Sequence, residues 1–581
     1  MPISNQAASS SGAVQDAARY NFSVPIFGSG VDGLGFGFQG ATTVDGSPPN
    51  PVGAVGATQY VQMATVRFVV FDKVTKAPVI GSKSGNVLWT GFGGPCETEN
   101  AGDAIVLYDK AAGRWVISQF TVNSAPYYEC VAVSKTSNAT GAYNLYAFSH
   151  GSVFSDYPKM GVWADGYYAT FNMFDPVSTS FVGAKLCAYD RNAMLAGTAA
   201  TQQCFQLSSS VSSVLPADID GATAPPAGSP NYLLNFGANS LNLWKFHADW
   251  TTPTNTTLSA PINIPVAAFT KACPTNDTCI PQLGVSQKLS SISDRLMFRL
   301  AYRNFGAYES LVVNHSVQIG ATADSSSGVR WYEIRSPGTT PIVYQQSTYA
   351  PDTSFRWMGS AAMDHQGNMA MGYSVSSSTM SPAIRYTGRL ASDALNTMQA
   401  EGSLVEGSGS QTTFSNWGTY SAIVIDPSDD CTFWYTSEYL KSNGTKWSTH
   451  IDSFKFGSCG PMGPPAQLMF TVEPGNSYPS GTSFMVGVSI EDNDGNVVTS
   501  DNATQVSLSV NACGTTALGT ATASAGVAQF TDLRFYTVTD PNALQLHAVS
   551  NPVLNSADSS TFIVKTNADS VFWNGFDSCT P

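Results

Sequence analysis

A chain of 581 residues is long enough for one large domain and a smaller one, each with its own core. Only 12% of its residues are charged, against about 25% in an average soluble protein; Gly (51), Pro (32) and 11% aromatics take their place. The net charge of −14 and the lack of any Lys/Arg run exclude a basic nucleic-acid-binding face, and no stretch approaches 18 apolar residues, so no membrane-spanning helix is expected.

In chain order, residues 1–19 are small and polar and read as disordered. Met1-Pro2-Ile3 leads into a Ser/Ala-rich stretch without an apolar h-region, which reads as a chain whose leader has been removed. Residues 20–51 are rich in Gly and Pro and are expected to include a strand that closes a ring. From Val52 to about Cys459 apolar strands recur in hairpins. In PKMGVWADGYYATFNMF (158–174) one strand runs into an Ala-Asp-Gly turn and a second returns. In VRFVVF (66–71) both alternating faces are largely apolar, as in a sheet packed between two neighbours. Turn aspartates mark the repeat at Asp109, Asp165, Asp220, Asp294, Asp364 and Asp426; their carboxylates suit turn backbone N–H groups. Seven such hairpins predict a seven-bladed β-propeller over residues 20–459. Helix signals are nearly absent, with ASDALNTMQA (391–400) the one short helix expected.

GSCGPMGPP (457–465) reads as a linker, with 460–465 the segment between domains. Residues 466–566 show short alternating strands between Asp-Gly, Asn and Pro turns, the pattern of a β-sandwich. Residues 567–581 form a tail. The fold class is therefore all-β: a propeller followed by an immunoglobulin-like β-sandwich.

Ten cysteines with no C-x-x-C and no zinc-like Cys/His spacing point to disulfides and an oxidising, extracellular compartment. Proximity suggests Cys96–Cys130, Cys187–Cys204, Cys273–Cys279 and Cys431–Cys459, leaving Cys513 and Cys579; spacing alone does not fix the connectivity.

Three resemblances follow from particular stretches. VGAVGATQYVQM, WTGFGGPCETENAGDAIVLYD, DYPKMGVWADGYYATFN, RLAYRNFGAYESLVVNHSV and CTFWYTSEYL together resemble a family of secreted bacterial β-propeller proteins of unestablished activity, over about 51–459. The resemblance implies fold and secretion, and no chemistry. Asn50 departs from it where an acid is expected after the paired prolines, which puts any cation site there in doubt. EDNDGNVVTSDNATQVSLSV and GVAQFTDLRF resemble bacterial immunoglobulin-like repeats, modules that usually act as spacers or presenting stalks. ADSVFWNGFDSC resembles a short tail of secreted proteins in some Gram-negative bacteria.

No G-x-S-x-G elbow is present, and of six histidines His315, after a strand in VVNHSV, is the most suggestive. Asp218 and Asp220 in PADIDG have spacing suited to Ca²⁺, without the rest of a calcium-loop pattern; no cofactor is otherwise required. Asp492-Asn493-Asp494 reads as a hairpin turn. A glycosidase needs two carboxyl groups roughly 5–10 Å apart. Glu97, Glu99, Asp156, Glu309 and Glu438 are candidates, with Glu309 and Glu438 the pair to test, and each also reads as a loop charge. Arginines cluster at Arg295, Arg299, Arg303, Arg330, Arg356 and Arg385. They would either hold an acidic sugar, in the manner of sialidases, or tie blades to the turn aspartates. Tyr168 and Trp331, among other aromatics, would stack on sugars or fill the core.

These features lead to a secreted, monomeric binding or adhesion protein whose propeller face recognises a glycan or an extracellular protein. A glycoside hydrolase or polysaccharide lyase with its site at the propeller axis is the alternative, and an extracellular structural component a third reading.

Overall fold

The computed structural model describes residues 48–221, 223–456, 459 and most of 464–565, with the backbone of three short N-terminal strands, Val14–Gln15, Ile26–Phe27 and Val31–Gly35. The expectations for the rest of 1–19, for the tail, for Cys513 and Cys579, and for the turn at 493–494 fall outside the described residues. The chain forms two units, 1–456 and 457–581.

The first unit is a succession of mainly antiparallel sheets: four are separate and four-stranded, the fourth and fifth in chain order are joined in one ten-stranded sheet, and the last is five-stranded. Their innermost strands are Val52–Val55, Ile105–Asp109, Phe154–Val162, Leu215–Asp220, Met297–Asn304, Phe355–Met363 and Ala422–Ile425. Each touches the next, and Ala422–Ile425 touches Val52–Val55, so the inner strands close a ring. This is the β-propeller read from the hairpin repeat. Both faces of Arg67–Asp72 are covered, its four central residues buried, because each sheet is packed between two others. The hairpin of 158–174 forms as read, Val162 opposite Tyr167 across the Asp165-Gly166 turn.

The ring is joined in two ways. Ile26–Phe27 and Val31–Gly35 pair with Trp447–Lys455, so the start of the chain supplies the outer edge of the last sheet. That removes an exposed strand edge and ties the two ends of the ring together. Elsewhere, the inner strands of the fourth and fifth sheets hydrogen-bond in parallel, from Ala217↔Leu300 to Asp220↔Arg303.

Two of the turn aspartates, Asp109 and Asp426, both cap turns and receive cations from other segments. Asp426 accepts Ser428 N–H and the Lys73 ammonium, both at 2.9 Å. Asp109 accepts Ala112 N–H at 3.0 Å and a bidentate Arg191 at 2.6 and 3.0 Å. The stretch 391–400 makes turns rather than the expected helix. Asp393 there accepts Leu390 N–H (2.9 Å), and its own N–H bonds Leu390 C=O, which closes a tight turn.

Three expected disulfides are formed, Cys96–Cys130, Cys187–Cys204 and Cys273–Cys279, and Cys431 and Cys459 are each disulfide-bonded. Among the described residues no helix is long and apolar enough to cross a membrane.

The second unit pairs Gln467–Val472, Ser483–Glu491 and Val527–Arg534 in one sheet. Gln505–Val510, flanked by Gly519–Thr522 and Leu546–Asn551, centres another. Alternate residues of both, including Val486, Val488, Val506, Leu508 and Leu546, share one core. It is a two-layer β-sandwich.

Candidate functional site at the ring axis

The segments that lead into the inner strands converge on one face of the ring. They line a cleft of about 430 Å³ with Asn50, Asp103, Tyr157, Lys271, Asp294, Arg295, Tyr420 and their neighbours. Asn50 precedes the first sheet, Asp103 the second, Arg295 the fifth and Tyr420 the seventh, so the cleft is a product of ring closure.

A bulge in the third inner strand shapes its floor. Pairing with the second strand jumps from Asp156↔Asn172 to Lys159↔Thr170, and Tyr157 has φ +55°, an unfavourable conformation for a bulky residue. The Lys159 ammonium ends 3.4 Å from the Tyr157 ring centre and 3.2 Å from that of Tyr420. It is fully buried and donates to Pro158 C=O at 3.1 Å. Burial pushes its pKa well below the usual lysine value, helped by Arg295 and opposed by Asp103 and Asp156.

Asp103 is fixed from two sides, by Asn50 Nδ2 (2.5 Å) and the Tyr420 hydroxyl (2.8 Å). The remaining amide oxygen of Asn50 is buried with no hydrogen-bond partner. Asp156, beside the cleft, has its carboxyl raised by burial and by Asp103. At the mouth Arg295 grips Asp294 (2.7 and 3.0 Å) and lies 4.5 Å over the Tyr157 ring. Burial raises the Tyr157 phenol to about 12, with Arg295 opposing. The arrangement is a rigid set of donors and acceptors with few free torsions, suited to hydroxyl-bearing ligands. No histidine or cysteine is among the described residues that line it.

The residues singled out in the sequence are distributed differently. Asp218 and Asp220 lie on the same axis, but Arg299 Nε bonds Asp218 (2.8 Å) and Arg299 Nη1 bonds Asp220 (2.7 Å), and Lys110 also contacts Asp220. A guanidinium and an ammonium thus occupy the oxygens that a calcium ion was expected to use. Arg303 holds Asp430 (2.7 and 2.8 Å). Arg356 holds Asp352 and Glu401 (2.8 Å each), and Arg385 holds Glu401 (2.6 Å) and Glu406 (2.9 Å). These four arginines act as ties between segments. Arg330 is the exception and lines a separate cleft.

Glu309 and Glu438 do not converge. Glu309 sits at the hairpin end of its strand, opposite Asn304, and accepts the hydroxyls of Tyr302 (2.6 Å) and Tyr232 (3.3 Å). Glu438 lies near the far end of Phe433–Leu440 and accepts Gly418 N–H (2.7 Å). Glu97 accepts Gly91 and Gly93 N–H, and Glu99 accepts Val122 and Asn123 N–H, so both brace loops. Tyr168 and Trp331 are fully buried core residues. His315 is buried too, its Nε2 3.0 Å from the Tyr332 hydroxyl, and burial with Arg330 nearby pushes its pKa down to about 3.

Asp103, Tyr157, Lys159 and Tyr420 were not marked by any motif. Lys159, a lysine in an otherwise apolar inner strand, was the one local signal.

No protein-family model matches the sequence, and no curated protein does. Among solved structures, a fungal alcohol oxidase of the AA5 family in complex with copper aligns over 93% of this chain and 100% of its own, with 10% identity and a TM-score of 0.41. The GH93 α-L-arabinofuranosidase of Fusarium graminearum in complex with arabinobiose aligns over 74% of this chain and 99% of its own (8% identity, TM-score 0.36). A Trypanosoma rangeli sialidase aligns over 77% and 82% (10% identity, TM-score 0.30).

Proposed function

We propose that this protein is a secreted glycan-binding protein and that the axial cleft is its recognition site. The observation that carries the reading is the fixed Asn50–Asp103–Tyr420 triad facing the Arg295–Asp294 pair across one cleft. Carboxylates and guanidinium forks bind vicinal hydroxyls through paired hydrogen bonds, and groups already held in place lose little entropy on binding. The volume lies within the usual range of small-ligand sites. The disulfides agree with an oxidising, extracellular compartment. The second unit, an immunoglobulin-like module in this reading, serves as a presenting stalk.

The hydrolase alternative names Glu309 with Glu438, which stand at opposite ends of their strands and do not form its carboxylate pair. A glycan array probed with the purified protein, with calcium and with chelator, tests the proposal. Binding lost in Asp103→Ala and Arg295→Ala, without release of new reducing ends, is the expected result. Absence of any binding, or binding indifferent to both substitutions, would overturn it; cleavage of a bound glycan would turn it into an enzyme.

A further inference from the structure

A second cleft, of about 510 Å³, opens between the fourth and fifth sheets, lined by Asn239, Phe269, Thr270, Gln318, Arg330, Thr348 and adjoining residues. Its distinguishing group is Arg330, only 3% exposed. Arg330 Nε donates to Thr348 Oγ1 at 2.5 Å and Nη1 to Ala267 C=O at 3.3 Å. Among the described residues no carboxylate pairs with it. The other buried arginines are differently placed. Arg299, Arg303 and Arg356 each grip carboxylates, and Arg389 bonds Asp393 C=O with Glu333 and Asp393 close enough to act on its charge. A buried cation without a counter-charge is costly to a fold, so a guanidinium left open to a cleft points to an anion from outside.

A second group in the cleft is also unsatisfied. Gln318 donates Nε2 to Gly320 C=O at 3.1 Å, while its Oε1 is buried with no partner. Phe269 is half-buried and forms an apolar wall, and the neutral His315 ring packs behind it with centroids 4.6 Å apart. A forked cation, an open amide acceptor and an aromatic wall together match a ring that carries both hydroxyls and a carboxylate. The cleft is also one loop away from the axial site: Phe269 and Thr270 line this one, and Lys271 lines the other.

We infer that this cleft is an acid-sugar subsite, in which Arg330 takes the carboxylate of a uronate residue in a glycan that continues into the axial cleft. The inference rests on the glycan reading of the axial cleft for the remainder of the ligand. Phe269 would pack against the C–H face of the sugar and Gln318 Oε1 would accept one of its hydroxyls.

The test is calorimetric binding of tetramers of galacturonate, mannuronate and glucuronate, each beside its carboxyl-reduced neutral counterpart. Wild type is expected to bind at least one acid tetramer tenfold or more tighter than the reduced form. Arg330→Gln is expected to erase that preference and leave the reduced tetramer's affinity unchanged, and Asp103→Ala to weaken both forms alike. Should Arg330→Gln not fold, Phe269→Ala, at a partly exposed position, is expected to weaken the acid and reduced tetramers alike by removing the apolar wall, and unchanged binding of both would overturn the subsite. Equal binding of acid and reduced forms, no acid tetramer bound, or a preference that survives Arg330→Gln would overturn the subsite. Acid binding lost in Arg330→Gln but indifferent to Asp103→Ala would instead sink the axial site and leave this cleft standing alone.

Discussion

The Lys159 ammonium stands 3.4 Å from the centre of the Tyr157 ring, one turn of the same bulge, and the Tyr420 ring closes over its other side at 3.2 Å. Two aromatic faces and one backbone carbonyl replace the water the ammonium loses, and among the described residues no carboxylate bonds it directly. Ring faces attract a cation, yet by less than a charge needs on full burial.

Lys159→Met keeps the apolar stem and removes the charge. Because the folded-state pKa lies below the unfolded one, near 10.4, the unfolded chain takes up the extra proton first as pH falls. Wild-type stability should therefore drop relative to Lys159→Met from about pH 10 downward, and the gap should level off below the folded pKa. Urea unfolding across that range measures it, and parallel curves for the two proteins would show that Lys159 is not held in this strained environment.

Arg299→Leu should be among the most damaging single changes in the first unit. It leaves Asp218 and Asp220 buried beside each other with Lys110 as the cation still bonded to Asp220, a loss of roughly 3–5 kcal/mol for a broken buried pair. Burial alone would raise the Asp220 carboxyl, but Arg299 and Lys110 hold it well below the usual range. Its contribution is therefore present above about pH 4 and is lost as pH falls through the folded value, so the deficit of Arg299→Leu should narrow in acid. Calcium and chelator should both leave the wild-type Tm unchanged. A calcium-dependent rise that disappears in Asp218→Asn would return these oxygens to a metal.

The hairpins were legible in the sequence because their information is local. Asp165-Gly166 specifies a turn, and the strands on either side declare their faces by alternation. The role of the arginines was not local. Whether Arg299 meets a ligand or an aspartate depends on the fourth and fifth inner strands lying parallel, which sets Asp218 beside Ala301 and Asp220 beside Arg303 across more than 80 residues. The axial cleft was less legible still. Asn50, Asp103 and Tyr420 touch only once the ring is closed, with Tyr420 and Asp103 317 positions apart in the chain, and none belongs to a motif. The stretch 391–400 shows the reverse failure: its composition favours a helix, yet its polar groups bond Leu390, Gln345 and Gln346 and hold it in turns.

Two buried glutamates should make stability fall through neutral pH. Burial pushes Glu129 and Glu438 up to about 8, and Glu438 keeps one oxygen without a partner. The folded state holds these protons between about pH 4.3, the unfolded value, and pH 8, so stability decreases across that window. Glu438→Gln retains an acceptor for Gly418 N–H and cannot ionise. It should come nearest to wild type below about pH 4 and exceed it above pH 8 by on the order of a few kcal/mol. Thermal melts at several pH values decide the matter, since a constant offset would mean that Glu438 ionises freely in the fold.

The disulfides should separate stability from binding. Cys96–Cys130 closes 34 positions and anchors the loop that delivers Asp103 to the axial cleft, whereas Cys187–Cys204 closes 17 and joins two outer strands. Chain entropy gives the two links similar weights, about 4 and about 3 kcal/mol. Paired Cys→Ser replacements should thus cost comparable stability in urea. Ligand affinity should not follow suit. Loss of Cys96–Cys130 frees the Asp103 loop at its root and should weaken glycan binding several-fold, even though Glu99 still bonds Val122 and Asn123 N–H. Loss of Cys187–Cys204 touches no residue of the cleft and should leave affinity unchanged. Equal weakening in both would mean that binding responds to global loosening of the ring, and that Asp103 is not a local determinant.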